Sequence, residues 1–330
     1  MPEPLPESPD HAAAATRPGV VSAHPSGSGM PSRADLMALT KARLSALVLL
    51  TTLAGYWLGR DYLGLPVGGW LLFHTLLGTA LCAAASSVFN QIMEMEADAR
   101  MRRTADRPLP ARRLAPGAAF AIGWLLAALG LVHLGLKVNF EAASLAAATL
   151  ISYIFVYTPM KVRSAWNTAV GAVSGALPPI IGWAAAAGAA SESLAYRWAF
   201  VFAAPSLFLF ALLFVWQLPH FLAINWMYRD EYIRGGFVMC SNSDPGGGRT
   251  AWLSLVSSLA AFALAFWPWL GGFAGIGFAI GAGLSGAALV LLALVFLRLR
   301  ERSAARRLFF ATLLYLPVVL GLLITFFRHP

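Results

Sequence analysis

Residues 250–297 read TAWLSLVSSLAAFALAFWPWLGGFAGIGFAIGAGLSGAALVLLALVFL, 48 residues without one Asp, Glu, Lys or Arg. As a single helix this stretch would be about 72 Å long at 1.5 Å per residue, more than twice the hydrocarbon thickness of a bilayer. Pro268, Gly271 and Gly272 interrupt it near the middle, so it reads as two membrane spans joined by a turn. The other charge-free runs are 44–59, 62–93, 114–136, 142–160, 164–191, 198–228 and 308–327. A transmembrane helix needs about 20 mostly apolar residues. The shortest run, 44–59, is flanked by Lys41, Arg43 and Arg60, whose long stems reach the interface. The expected fold is therefore all-α, a polytopic membrane protein with nine transmembrane helices. Composition agrees, with 58% apolar and 12% charged residues and a mean hydropathy of +0.68. These values exclude a disordered chain and an ordinary soluble enzyme. Cys82 falls in an expected span and Cys240 in a connector, so no disulfide is expected.

The net charge of +9 is unusual for so apolar a chain. An excess of this kind serves nucleic-acid binding, anionic lipid or membrane topology. Nine spans put 20 of the 24 Lys and Arg on one face of the membrane and four on the other. The four are Arg60, Lys137, Arg197 and Arg328. The asymmetry predicts a cytoplasmic N-terminus and an outward C-terminus, and it leaves no need for a nucleic-acid partner. Residues 1–33 are expected to form a disordered tail ahead of a nine-helix domain over 34–330, because seven prolines and no apolar run fall there. The tail lacks a signal-peptide core. One Arg against three acids in residues 1–32 makes a poor mitochondrial presequence, which favours a bacterial inner (plasma) membrane.

Polar residues cluster where lipid disfavours them, all on the cation-rich face. Asn90, Glu94 and Asp98 are spaced i, i+4, i+8, which places an amide and two carboxylates on one helix face. Hard oxygen donors in a row suit Mg²⁺, which binds through one or two carboxylates together with substrate phosphates. Arg102, Arg103 and Arg107 follow at once, and Arg suits bidentate phosphate contacts. The bland alternative is a solvated helix end with local ion pairs and topological arginines. A second cluster holds Gln217, Pro219, His220 and Asn225 at membrane depth, with Asp230 and Glu231 at its mouth. Pro219 kinks the span; a single buried His is commonly just a hydrogen-bonded packing residue. Lys161 and Arg163 form a third patch, readable as phosphate ligands or as topology anchors. Together the patches suggest one central cavity opening on the cytoplasmic face, for a ligand with a phosphate head and a hydrocarbon tail.

At these residues the chain resembles the intramembrane prenyltransferases of the UbiA superfamily, and within it the haem-farnesylating branch. The motifs are Leu39-Thr-Lys-Ala-Arg43, Asn90-Gln-Ile-Met-Glu94 through Asp98, Met101-Arg-Arg-Thr-Ala-Asp-Arg-Pro-Leu109, Tyr157-Thr-Pro-Met-Lys161, Trp216-Gln-Leu-Pro-His-Phe221, Asp230-Glu-Tyr-Ile-Arg-Gly-Gly236 and Tyr315-Leu-Pro317. The resemblance runs from about residue 36 to about residue 325. It implies a bundle with two acidic motifs flanking the cavity. It also implies transfer of farnesyl from farnesyl diphosphate to a vinyl group of haem B, with Mg²⁺ held by Asn90, Glu94, Asp98 and Asp230. Arg102, Arg107, Lys161 and Arg163 are then the diphosphate ligands. His220 and Gln217 are candidates for contacting haem or the metal's outer shell. His220 stands where many superfamily members carry an acid, which is typical of this branch. A downstream haem A-forming enzyme is the implied protein partner. The alternatives are prenylation of an aromatic quinone precursor and transport of an anionic amphiphile. The topology has a direct check: a reporter fused after Pro330 is expected to be active only outside the cytoplasm, and cytoplasmic activity overturns the orientation.

Overall fold

The 48-residue run folds as its punctuation predicts. One helix covers Gly248–Leu264 and a short turn of helix covers Trp267–Leu270. The chain then reverses through Gly272, at φ +78°, before a new helix over Ile276–Leu299. Pro268 begins the turn because it has no N–H to continue the ladder. The computed structural model describes residues 32–188 and 191–328. It is all-helical there apart from one bridge, Ala274 with Phe327. In chain order the helices are α1 (Arg33–Leu39), α2 (Ala42–Tyr62), α3 (Gly69–Met93), α4 (Met95–Ala99) and α5 (Pro116–Lys137). They continue with α6 (Phe140–Met160), α7 (Asn167–Ala187), α8 (Leu194–Val201) and α9 (Ala204–Met227). The last are α10 (Arg229–Gly235), α11 (Gly248–Leu270), α12 (Ile276–Leu299) and α13 (Arg302–Phe326).

Among the described residues eight helices are long and apolar enough to cross a membrane: α3, α5, α6, α7, α9, α11, α12 and α13. The expected first span is present as α2, a 21-residue helix packed against α7, but it is not one of those eight. The expected tail over 1–33 lies outside the described residues except for Ser32 and Arg33. There Ser32 accepts from the Asp35 N–H and caps α1.

The connectors sort into two ends, as the alternation of spans requires. At one end Arg113 pairs with Asp35, Lys41 with Asn90 and Lys161 with Glu94. There too the Arg102 N–H donates to Glu231, and Trp226 donates to the Arg300 carbonyl. At the other end Arg60 donates to the Pro66 carbonyl, and Arg197 pairs with Glu141. The outer surface between the ends is apolar: Leu136, Phe155, Leu284 and Leu314 are each about 70% exposed or more. In water that band would be an aggregation surface; against lipid it costs nothing.

Helices approach closely where side chains vanish. A Cβ on Gly55 of α2 would lie 1.9 Å from the Pro179 carbonyl oxygen, and one on Gly182 of α7 would lie 1.9 Å from that of Thr52. Backbone touches backbone at both points, so only Gly fits. Trp183, fully buried beside this crossing, stacks on Phe200 and donates to its carbonyl. Gly182→Ala is expected to cost about 1–3 kcal/mol through overpacking, whereas Gly117→Ala, with nothing within 4 Å of its Cβ position, should be neutral. Thermal unfolding in detergent compares the two.

Candidate active site

The polar stripe is carried by α3 and α4. Glu94 occupies the joint between them, yet the helical bonds pass through it: the Glu94 N–H donates to the Asn90 carbonyl, and the Asp98 N–H to the Glu94 carbonyl. The i, i+4, i+8 spacing therefore survives the joint, and the three side chains share one face. They are not solvated, since Asn90 and Asp98 are 1% exposed and Glu94 is 8%. Each acceptor meets a cation from a different connector. Lys41 Nζ donates to Asn90 Oδ1 at 2.7 Å, Lys161 Nζ to Glu94 Oε1 at 2.6 Å, and Arg107 Nη1 to Asp98 Oδ2 at 2.5 Å. Thr104 Oγ1 bonds the Asp98 carbonyl and folds the Arg-rich loop back over α4. The Asn90 Nδ2 is buried and has no partner among the described residues.

Electrostatics follow from burial. Burial, with Arg107 and Lys161 nearby, pushes the Lys41 ammonium down to about 7. Burial also lifts the Asp98 carboxyl above the usual carboxylate range, against the pull of Arg107. Lys161 sits over the Tyr157 ring, 4.5 Å from its centroid. The ring is placed by a π-helical segment over Ser152–Tyr157 in α6. Pro159 follows that segment, and Thr158 Oγ1 donates to the Tyr153 carbonyl. A wide turn of this kind commonly marks a functional site.

Two pockets lie at this polar end of the bundle. One, about 210 Å³, is lined by Glu94 and Arg163 with apolar walls from Met93, Pro159, Val162 and Phe237. The other, about 250 Å³, holds Arg102, Arg103, Arg234, Arg302, Asp230 and Glu231. The expected residues thus divide between them. Asn90, Glu94, Asp98, Arg107 and Lys161 form one connected cluster, with Arg163 beside it. Arg102 and Asp230 line the second pocket, where Asp230 is exposed. Among the described residues no three His, Cys, Asp or Glu side chains converge to hold a metal ion. The hard donors closest to that task are the Glu94 and Asp98 carboxylates and Asn90 Oδ1.

His220 and Gln217 are placed by packing. His220 Nδ1 lies 2.9 Å from Thr312 Oγ1, and its ring stacks between Trp216 and Phe309. Gln217 Nε2 donates to the Leu213 carbonyl of its own helix, and the side chain fills the space above Gly175, where a Cβ would meet Oε1 at 2.1 Å.

The bundle finds its counterparts among known proteins. Residues 48–314 match the model of the UbiA prenyltransferase family. This chain belongs to that family. It is 40% identical over 308 residues to the protoheme IX farnesyltransferase of Solibacter usitatus, covering 88% of this chain and 97% of the relative. It is 39% identical over 287 residues to the mitochondrial protoheme IX farnesyltransferase of Arabidopsis thaliana, covering 87% of this chain and 63% of that protein. A UbiA homologue from Aeropyrum pernix K1 shares the fold with a TM-score of 0.66 at 19% identity, over 84% of this chain and 96% of its own. A homologue from Archaeoglobus fulgidus bound to DMAPP and Mg²⁺ superposes with a TM-score of 0.56 at 14% identity, over 88% and 99%.

Lys41 is the residue of this UbiA prenyltransferase that sequence reasoning left out of the site. It reads as an interfacial anchor at the head of α2, and only its left-handed backbone, φ 49°, turns it towards Asn90. Its signal was its place inside the Leu39–Arg43 motif. The buried Lys161–Glu94 pair yields the sharpest stability test. Lys161→Ala leaves Glu94 buried alone and should cost about 3–5 kcal/mol, while Lys161→Met with Glu94→Gln should restore the thermal midpoint without restoring activity.

Proposed function

We propose that this prenyltransferase moves the farnesyl group of farnesyl diphosphate onto a vinyl group of haem B, making haem O, in a bacterial plasma membrane with its polar end on the cytoplasmic side. The observation that carries the reading is the buried stripe of Asn90, Glu94 and Asp98, each matched to a cation at one end of an apolar bundle. The choice of acceptor is supported by relatives of about 40% identity that bear the name protoheme IX farnesyltransferase.

The donors present fit Mg²⁺. That ion takes oxygen ligands and typically uses one or two carboxylates together with substrate phosphates, so it needs no cage of three acids. Glu94 and Asp98 would hold it, with Asn90 Oδ1 beside them, whereas Asp230 lines the separate arginine pocket. Bound there, it supplies charge neutralisation to the departing diphosphate. The chain's own contribution is electrostatic. Lys161, Arg107, Arg163 and Lys41 supply donors for phosphate oxygens where charge grows as the allylic C–O bond breaks. Lys161 and Arg107 already compensate the stripe carboxylates, while Lys41 donates to the neutral Asn90 amide. A substrate carrying both a divalent cation and a diphosphate therefore brings a counter-charge to both members of each of the two ion pairs.

Met93, Pro159, Val162 and Phe237 wall the pocket beside Glu94 and offer an apolar surface to the prenyl chain. The vinyl π pair forms the new C–C bond, the leaving group takes the C–O pair, and water adds to the remaining cation with loss of a proton. No protein nucleophile is needed. With Nδ1 at Thr312, His220 has no further hydrogen-bond partner among the described residues, which leaves Nε2 for haem or a metal-shell water.

The purified protein given haem B, farnesyl diphosphate and Mg²⁺ is expected to release diphosphate and form haem O, with 4-hydroxybenzoate left unmodified. Glu94→Ala and Asp98→Ala should each lower turnover by at least about 10²-fold while the protein stays folded in the membrane. Near-normal turnover by both variants, or product from 4-hydroxybenzoate alone, defeats the reading.

A further inference from the structure

We propose that the arginine pocket between the α4–α5 loop, α10 and the start of α13 is the haem subsite, and that it grips the porphyrin by its two propionate carboxylates. The inference rests on the haem chemistry above, but its evidence is separate from the acidic stripe. Four arginines face two acids in a pocket of about 250 Å³, Arg102, Arg103, Arg234 and Arg302 against Asp230 and Glu231. Glu231 is already engaged, accepting from the Arg102 N–H at 2.8 Å and from Arg234 Nη2 at 2.6 Å. The pocket thus keeps a surplus of two positive charges, opposite in sign and equal in number to two propionates.

The way the free arginines are held favours carboxylates. Arg103 lies 5.0 Å from the Tyr228 ring centroid and 5.9 Å from that of Tyr232, and Arg302 approaches Tyr228 at 5.9 Å. Ring faces orient a guanidinium without using its N–H groups. Neither the Arg103 nor the Arg302 guanidinium has a hydrogen-bond acceptor or ion-pair partner among the described residues. Each therefore presents an unspent planar fork, which matches a carboxylate in two-point contact. The diphosphate has a different home, because Glu94 and Arg163 line the other pocket.

A haem carries its propionates on one edge and its vinyls towards the other. Held here, at the polar end where Asp230 is exposed, the porphyrin keeps its charged edge at the mouth and turns its vinyl edge into the apolar bundle. The pocket thereby selects which end of the acceptor meets the prenyl donor.

The test uses the full chain in nanodiscs, with Arg103→Gln, Arg302→Gln and the charge-keeping Arg302→Lys. Haem B and its dimethyl ester are compared as acceptors. The Gln variants should raise KM for haem B by about tenfold or more, with KM for farnesyl diphosphate within about twofold of wild type. Arg302→Lys should recover part of the loss. With the dimethyl ester the wild type should show the same weakened KM, and the Gln variants should add no further penalty.

A rise in KM for farnesyl diphosphate alone would assign the pocket to diphosphate and overturn the proposal. An equal penalty on acid and ester would do the same, as would a penalty that disappears when anionic lipid is left out of the nanodisc. Haem titration by absorbance, without prenyl donor, separates this inference from the functional one. Loss of propionate-dependent binding in folded variants supports the subsite whatever the turnover, and unchanged binding refutes it. Failure of the wild type to make haem O sinks the proposed reaction instead.

Discussion

A charge buried at the end of a membrane bundle must have a partner, and that constraint organises this molecule. Asp98 and Glu94 are almost without solvent. An isolated carboxylate there would be strongly disfavoured, so each is matched by a cation brought from elsewhere in the chain. Lys41 comes from before α2, Arg107 from the loop after α4, and Lys161 from the end of α6. Three connectors are thus fastened to one helix face by three short contacts. The helices they terminate are fixed in relative depth as a consequence.

The remaining architecture keeps that end polar and the middle of the bundle apolar. Close crossings such as Gly55 with Pro179 and Gly182 with Thr52 allow helices to pack through backbone contact, where lipid offers no hydrophobic drive between them. The π-helical segment of α6 shifts Tyr157 under Lys161, so a local defect in helix geometry becomes a wall of the site. The Thr312–His220 bond and the Trp216 and Phe309 rings fix the imidazole against α13. The same helix carries Arg302 in its first turn, so the arginine pocket and the His220 contact share one rigid element.

Much of this was legible in the chain. Residues without charge over 20 or so positions have few structural options in a cell, and Pro268 with two glycines marks a reversal in any context. The stripe at Asn90, Glu94 and Asp98 was readable because four residues return a helix to nearly the same face, and the backbone bonds confirm that phase through the joint at Glu94. The grouping of cations on one side was readable because topology is set by charge in the short connectors. Gln217 was harder. Its polarity at membrane depth looks like a ligand, but the space over Gly175 and the Leu213 carbonyl account for its position.

The sequence by itself therefore determined the all-helical membrane class, the breaks between spans and the residues that share the acidic face, because these depend on local length, periodicity and charge. Only the tertiary structure decided the partners. It matched Lys41 to Asn90, Lys161 to Glu94 and Arg107 to Asp98, and it set Arg102 and Asp230 in a pocket apart from that cluster. Glu94 and Lys161 are 67 residues apart, Arg102 and Glu231 129. No periodicity spans such distances, and only the packing of helices against one another can bring those charges within reach.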